Sequence, residues 1–334
     1  MDLNGRTLLI TGATGSFGTA FIREVLRRWD VAGIRAFSRD ELKQSELAVT
    51  LQDQRVRLLL GDVRDLGRLR VATRGVDLIV HAAALKQVPA CEYNPFEAVQ
   101  TNVIGTQNVI SAAIDNEVPL TIALSTDKAV NPANLYGATK LCAEKIVAQA
   151  GVYAGQAGSR FASVRYGNVT GSRGSVIPIF RQQAPTGQVT ITDERMTRFW
   201  ITLDQAVQFV LSCVPLVRGG ETFVPKIPSM RIADVAAALA PDARRIITGI
   251  RPGEKLHEVL LTEDESRHSY DIGDRFVIVP PWLEHAEPAG EPLADGFRYS
   301  SDGNDRWLTG DELRAIADRM GPTRRQVDRI GRGG

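Results

Sequence analysis

The chain has 334 residues, 43% of them hydrophobic and 24% charged, and a formal net charge of +1. That length suits one large domain with a smaller lobe, and the near-neutral charge gives no global field to attract nucleic acid or an anionic membrane. Three scattered cysteines (Cys91, Cys142, Cys213) and four histidines without metal-ligand spacing argue against a disulfide framework and against a metal centre.

Thr7-Leu8-Leu9-Ile10 reads as a short buried strand, and Met1 to Arg6 runs straight into it, leaving no space for a signal peptide. Thr11-Gly12-Ala13-Thr14-Gly15-Ser16-Phe17-Gly18 follows, and then a helical run to about Arg28. Glycines between strand and helix permit a tight bend, a close backbone approach to pyrophosphate and tight helix packing. The free N–H groups at the helix start suit the phosphates. Gly12, Thr14, Gly15, Ser16, Phe17 and Gly18 are therefore expected to hold a dinucleotide. The second strand, Ile34 to Phe37, ends in Ser38 and Arg39, with Lys43 one turn on. A hydroxyl and two cations at this point suit a ribose 2′-phosphate, where a carboxylate would suit the 2′-hydroxyl. NADP is the expected cofactor, and Asp40 and Glu41 keep NAD as the alternative.

The third strand, Val56 to Leu60, leads into Asp62 and Val63. The fourth, Asp77 to His81, ends in Ala82, Ala83, Ala84, Leu85 and Lys86, where small residues let the backbone run close to the cofactor. His81 is expected to be a packed strand-end residue. Asn102 is expected to be a polar packing residue in a helix from about Phe96 to Asn116.

The fifth strand, Leu120 to Leu124, delivers Ser125-Thr126-Asp127-Lys128 to its carboxyl end, where open α/β sheets place ligands. Asn131-Pro132 turns the chain, and a helix opening near Leu135 carries Tyr136 and Lys140 at i and i+4, on one face. A hydroxyl, a carboxylate, two ammonium groups and a phenol thus converge. With a reference pKa of about 10, the phenol is a poor base until a nearby ammonium lowers that value. The set suits removal of a proton from a carbinol while its hydride leaves. A Tyr-x-x-x-Lys match alone is weak, and the strand before it and the glycine turn at the start of the chain give it weight.

The helix is expected to continue to about Ala150, with a loop from Gly151 to Gly158 and a strand from Arg160 to Tyr166. A Gly/Ser/Arg loop containing Asn168 and Arg173 comes next. Leu203 to Val214 reads as a helix, and the extended Glu221 to Val224 is expected to return to the sheet. Arg198 and Arg251 are permanently charged, bidentate donors that suit a diphosphate, and Glu254 suits ribose hydroxyls. The expected fold class is α/β, a Rossmann-like doubly wound parallel sheet with a smaller, interleaved substrate-binding lobe. Residues 1–170 would form the NADP-binding domain with 200–225 returning to it, and 171–334 mainly the substrate lobe and tail. No apolar stretch approaches a membrane span, so a soluble cytoplasmic protein is expected.

Together these motifs resemble the extended short-chain dehydrogenase/reductase superfamily, and within it the nucleotide-sugar 4,6-dehydratases, over nearly the whole chain. The resemblance implies that Asp62 and Val63 flank the adenine. It also implies that Lys86, Asn168 and the loop with Arg173 lie near the nucleotide sugar, and Arg198, Arg251 and Glu254 at a uridine-diphosphate pocket. It implies a homo-oligomer as well. Relatives often have His after the lysine at 86, where this chain has Gln87. Retaining dehydratases carry Asp-Glu where this chain has Asp127-Lys128. The Asp-Lys pair resembles the inverting UDP-N-acetylglucosamine 4,6-dehydratases of polysaccharide and pseudaminic-acid biosynthesis. On that likeness Tyr136 is the base at the C4 hydroxyl, Lys140 its electrostatic partner and nicotinamide-ribose contact, and Thr126 a hydroxyl donor. Asp127 would be the acid at C6 and Lys128 the base at C5, which requires the Lys128 pKa to fall from about 10.4. The alternatives are a retaining dehydratase and a UDP-sugar C4-epimerase, which needs no acid or base at C5 and C6. A non-catalytic NADP-binding sensor would have no use for Tyr136 or the acid–base pair.

Overall fold

Short apolar runs bounded by turn residues form strands that are buried on both faces, as parallel sheets require. The computed structural model describes residues 1–155, 158–171, 176–281 and 290–320. β1 (Thr7–Thr11), α1 (Ser16–Arg28), β2 (Gly33–Ser38), α2 (Glu41–Leu51), β3 (Val56–Leu60), α3 (Leu66–Thr73) and β4 (Leu78–His81) alternate along the chain. They are followed by α4 (Val88–Tyr93), α5 (Pro95–Val99), α6 (Gly105–Asp115), β5 (Leu120–Thr126), α7 (Leu135–Ala154) and β6 (Arg160–Tyr166).

These strands lie in the order β3-β2-β1-β4-β5-β6, all parallel. The strand Thr222–Pro225 continues the sheet parallel to β6. Arg275–Ile278, Ser269–Asp271 and Glu291–Pro292 then extend it antiparallel. The last three segments, placed with the second lobe on sequence grounds, thus lie in the large sheet. Alternation along each strand fills two cores. Leu8, Ile10, Val80, Ile122 and Val164 pack with Phe21 and Val25 of α1, while Leu9, Ile79 and Phe161 pack with Val109 of α6 and Val147 of α7. The helix Leu203–Cys213, started by a capping box between Thr202 and Gln205, packs against α1. This is the doubly wound α/β fold expected from the sequence. Its strand order reverses between β1 and β4, which opens a crevice at the strands' carboxyl ends.

A three-stranded sheet of Asn168–Val169, Thr197–Ile201 and Ser229–Arg231 stands across that crevice. Behind it a third core gathers Ile177, Phe180, Trp200, Val235 and Leu313. Two elements differ from the sequence reading. The helix expected from Phe96 to Asn116 is broken by a π turn at Gln100–Ile104. The extra residue in that turn aims Asn102 inward. The helix expected to stop near Ala150 runs on to Ala154, because Gly151 stays helical and only Gly155, at φ +53°, leaves the right-handed region. Among the described residues, no helix is long and apolar enough to cross a membrane.

Candidate active site

A cleft of about 960 Å³ runs from the glycine turn after β1 to the segment 251–258. Gly12, Thr14, Gly15, Ser16, Phe17 and Gly18 line one end of it, with Ser38, Arg39, Lys43, Asp62, Val63, Ala82 and Ala83. Gly12 sits at φ +66°, and a Cβ there would lie 2.8–2.9 Å from the backbone of Ala82 and Ala83. Only glycine lets the two turns touch. At the α1 start no side chain among the described residues caps the helix. Its N–H groups face the cleft without a side-chain acceptor, which fits a dinucleotide's pyrophosphate.

A neutral network supports this wall. Thr11 Oγ1 accepts N–H groups from Ala82 (3.1 Å) and Ala83 (3.2 Å), so its own proton turns to His81 Nδ1 at 2.7 Å. The imidazole proton is then on Nε2, 3.1 Å from Thr106, whose hydroxyl donates to the Asn102 carbonyl. Burial, helped by Lys140, pushes the His81 pKa down to about 3, so the ring is neutral. The Asn102 side chain donates to the Leu85 carbonyl and to Thr139, and accepts from the Leu85 N–H.

The turn after β5 is more crowded. β5 reaches Thr126, and a single 3₁₀ turn, Asp127–Ala129, carries the chain toward α7. Asn134 caps α7 through the Gly137 N–H (2.8 Å) and also donates to the Gly253 carbonyl (2.8 Å). Gly137 lets the first turn of α7 press on the turn after β5, since a Cβ there would fall 2.0 Å from the Lys128 carbonyl oxygen. Lys140 Nζ donates to the Leu124 carbonyl (2.6 Å), and burial outweighs Glu144 to lower its pKa to about 8. Thr126 donates to Asp127 Oδ1 (2.9 Å) and also neighbours the Tyr136 phenol. Lys128 Nζ donates to the same Asp127 Oδ1 (2.9 Å) and to Asn168 Oδ1 (3.3 Å).

Both protonation states differ from those the sequence reading required. The Tyr136 pKa is pushed up to about 12, because burial outweighs the favourable field of Lys128 and the Thr126 bond. Burial opposes the charge on Lys128, but the carboxylates of Asp127 and Glu258 prevail and hold its pKa above the ordinary lysine value. The resting site therefore holds a phenol and an ammonium.

Comparison with known proteins connects this geometry to a function. Residues 8–280 match the family described as polysaccharide biosynthesis protein. The chain belongs to that family. A UDP-N-acetylglucosamine 4,6-dehydratase (inverting) of Campylobacter jejuni subsp. jejuni serotype O:23/36 is 48% identical over 322 residues, 93% of this chain and 96% of its own. A UDP-glucose 4-epimerase of Rickettsia akari is 43% identical over 282 residues, 82% of each chain. The X-ray structure of Pen from Bacillus thuringiensis has a TM-score of 0.89 at 38% identity, over 96% of this chain and 99% of that one.

In this member of the polysaccharide biosynthesis family, the cleft gathers most of the residues singled out from sequence. Thr126, Lys128, Tyr136, Lys140, Lys86, Asn168, Arg198, Arg251 and Glu254 all line it. Asp127 does not; it is fully buried behind Thr126 and Lys128, and its Oδ2 has no hydrogen-bond partner among the described residues. Arg198, expected at a diphosphate, is a buried brace that donates to the carbonyls of Thr197, Lys255 and Leu256. Arg251 is exposed at the cleft edge, its Nη1 4.0 Å from Glu254. Arg173 lies outside the described residues. Sequence reasoning missed Glu258 and Lys255. Lys255 Nζ donates to the carbonyls of Val130 (2.6 Å) and Asp127 (3.3 Å), tying its loop to the turn after β5. The i, i+3 spacing of Lys255 and Glu258 was the available signal, but a surface pair has the same spacing.

Proposed function

We propose that this chain is a UDP-N-acetylglucosamine 4,6-dehydratase that inverts C5, giving UDP-2-acetamido-2,6-dideoxy-β-L-arabino-hex-4-ulose. The observation that carries the reading is the Asp127–Lys128 pair at 2.9 Å, with Lys128 lining the cleft as Tyr136 does and Asp127 buried behind it. An epimerase moves a hydride at C4 alone and needs no such pair. The 48% identity to the Campylobacter enzyme over nearly the full chain supports the substrate.

Bound nicotinamide would supply the hydride acceptor at C4 and the hydride donor at C6, and the residues of the glycine turn fit it. Tyr136 first loses its own proton to solvent in the cleft and then, as a phenolate, takes the C4 hydroxyl proton, with Lys140 and Thr126 beside it. Oxidation at C4 makes the C5 hydrogen acidic. Lys128 becomes a base at C5 by giving its proton to Asp127, its nearest carboxylate. One N–H bond breaks and one O–H bond forms, and the same step readies Asp127 as the acid for the departing C6 hydroxyl, its proton passing through Thr126, which bonds Asp127 Oδ1 and lines the cleft. Lys128 keeps the proton it has taken, and delivery of a second proton from solvent to the opposite face of C5 inverts the centre. Asn168 steadies the Lys128 amine (3.3 Å), while Lys86, Arg251 and Glu254 stand where the nucleotide sugar would enter.

NADP is our reading for the cofactor. Asp40 caps α2 through the Lys43 N–H (3.0 Å) and pairs with the Lys43 ammonium, so its charge at the cleft is offset by a cation. Ser38 and Arg39 line the cleft beside this pair and add a hydroxyl and a cation to it. We also read the protein as a cytoplasmic homo-oligomer, with light scattering as the test of its assembly.

The deciding experiment is NMR of the purified protein with UDP-N-acetylglucosamine in D₂O. The expected product is a 4-keto-6-deoxy sugar with deuterium at C5 and the L-arabino configuration. A D-xylo ring appearing first would overturn inversion. The 43% identity to the Rickettsia epimerase gives the rival reading, which predicts interconversion of C4 epimers without loss of water.

A further inference from the structure

Glu258 stands just before the strand Val259–Leu261, far from the catalytic turn in sequence, yet lines the same cleft. It is 3% exposed. Its backbone N–H is held by Ser301 Oγ (2.9 Å). Oε1 lies 3.8 Å from both Lys128 Nζ and Arg198 Nε, and Oε2 lies 3.2 Å from Lys255 Nζ. Two carboxylates therefore flank the Lys128 ammonium: Asp127, from behind and out of the cleft, and Glu258, from the cleft side. The other charged or titratable groups facing this cluster are Arg198 from the strand Thr197–Ile201, Lys255 from the loop before Glu258, and Tyr136 from α7.

A buried carboxylate this close is too wide of hydrogen-bond distance to act as the proton acceptor, but it still acts through its charge, which a low-dielectric cleft screens weakly. Arg198 and Lys255 fix it in place, their long side chains held by backbone carbonyls. We infer that Glu258 is a positioning residue that governs whether Lys128 carries its proton. The inference rests on the dehydratase reading for its consequence, because a base at C5 must be neutral. With Glu258 charged, Lys128 rests as an ammonium, and the neutral form arises only by transfer to Asp127. Because Glu258 sits on the segment that begins at Arg251 and Glu254, the group that sets the Lys128 proton is attached to the wall that meets the nucleotide.

The test measures the Lys128 proton directly. Competitive acylation with acetic anhydride across pH, read by mass spectrometry on the peptide holding Lys128, gives its titration midpoint without reference to activity. Wild type should titrate above the ordinary lysine range. Glu258→Gln should lower the midpoint by one pH unit or more, a tenfold gain in neutral amine, and move the acid limb of C5 deuterium exchange down with it. Glu258→Asp, which keeps the charge, should titrate near wild type. An unchanged midpoint in Glu258→Gln overturns the inference, as do two variants displaced alike, which would mark a packing effect. Absence of C5 exchange in wild type would overturn the dehydratase reading instead, and the acylation midpoints would still decide the role of Glu258.

Discussion

The two walls of the cleft are held together by different physics. Under the cofactor end, Thr11, His81, Thr106, Asn102 and Thr139 form a chain of neutral hydrogen bonds anchored to backbone at Ala82, Ala83 and Leu85. At the other end, Asp127, Lys128, Arg198, Lys255 and Glu258 form a knot of charges, each within about 4 Å of at least one other and much of it buried. A neutral network fixes backbone shape and keeps one protonation state over a wide pH range. A buried charge cluster couples each group's proton to its neighbours, so it can move protons but tolerates the loss of no member cheaply. The fold thus puts a rigid neutral network under the glycine-turn end of the cleft and titratable charge under the end that, on the function proposed above, handles protons.

Removing the phenol tests the charged end most severely. Tyr136→Phe should cut the rate of C4 oxidation by about 10²–10⁴, the usual contribution of a positioned acid or base. Single-turnover absorbance of the reduced nicotinamide measures it, and a fall of less than tenfold would remove Tyr136 from the C4 step. Crowding the join between the walls comes next. Gly137→Ala places a methyl against the Lys128 carbonyl, and overpacking of this kind costs about 1–3 kcal/mol. A denaturant midpoint shift of that size, with activity lost beyond it, is the expected result. Unchanged stability and rate would mean that α7 can back away freely.

The neutral wall has its own pH signature. The folded pKa of His81 lies near 3, below the ordinary 6.5. Its contribution is complete above the unfolded value and is lost as pH falls toward the folded one. Stability should therefore drop by up to about 1.4 kcal/mol per pH unit below 6.5. His81→Gln should flatten that slope, whatever its baseline stability. Urea denaturation at pH 7, 6 and 5 compares the slopes, and parallel slopes would show that His81 takes up a proton without cost.

The same division explains what could be read from sequence. The glycine turn, β5 and the Tyr136–Lys140 pair were legible because each is local: the strand, turn and helix that position these groups are contiguous in the chain. The resting protonation states were not legible, because that of Tyr136 depends on burial and that of Lys128 on Glu258 as well, which reaches Lys128 only when the strand at 259–261 docks beside the turn after β5. The diphosphate role expected of Arg198 was read from its charge and its family segment. Its surroundings, three backbone carbonyls and Glu258, come from pairing across the small sheet and from the 255–258 segment. The π turn at 100–104 left no periodic signal strong enough to separate it from a continuous helix.

The smallest expected effect lies at the far end of the cofactor wall, where charge reappears. Arg39 is half-exposed, with Nη1 3.8 Å from Asp62. Lys43 is committed to Asp40, so Arg39 is the cation better placed for a ribose 2′-phosphate. An exposed guanidinium–phosphate contact keeps much of its hydration in either state, so its loss should cost about 1–2 kcal/mol, roughly 10-fold in affinity. Arg39→Ala should weaken NADP by that factor and leave NAD unchanged, since NAD carries no 2′-phosphate. Titration of both cofactors by intrinsic fluorescence gives the ratio. An equal fall for both would place Arg39 on the adenine or pyrophosphate, while tighter NAD binding in wild type than NADP would overturn the cofactor reading itself. Raising the salt should shrink the NADP difference, because this contact is open to solvent, and should leave the buried Lys128–Glu258 coupling largely unscreened.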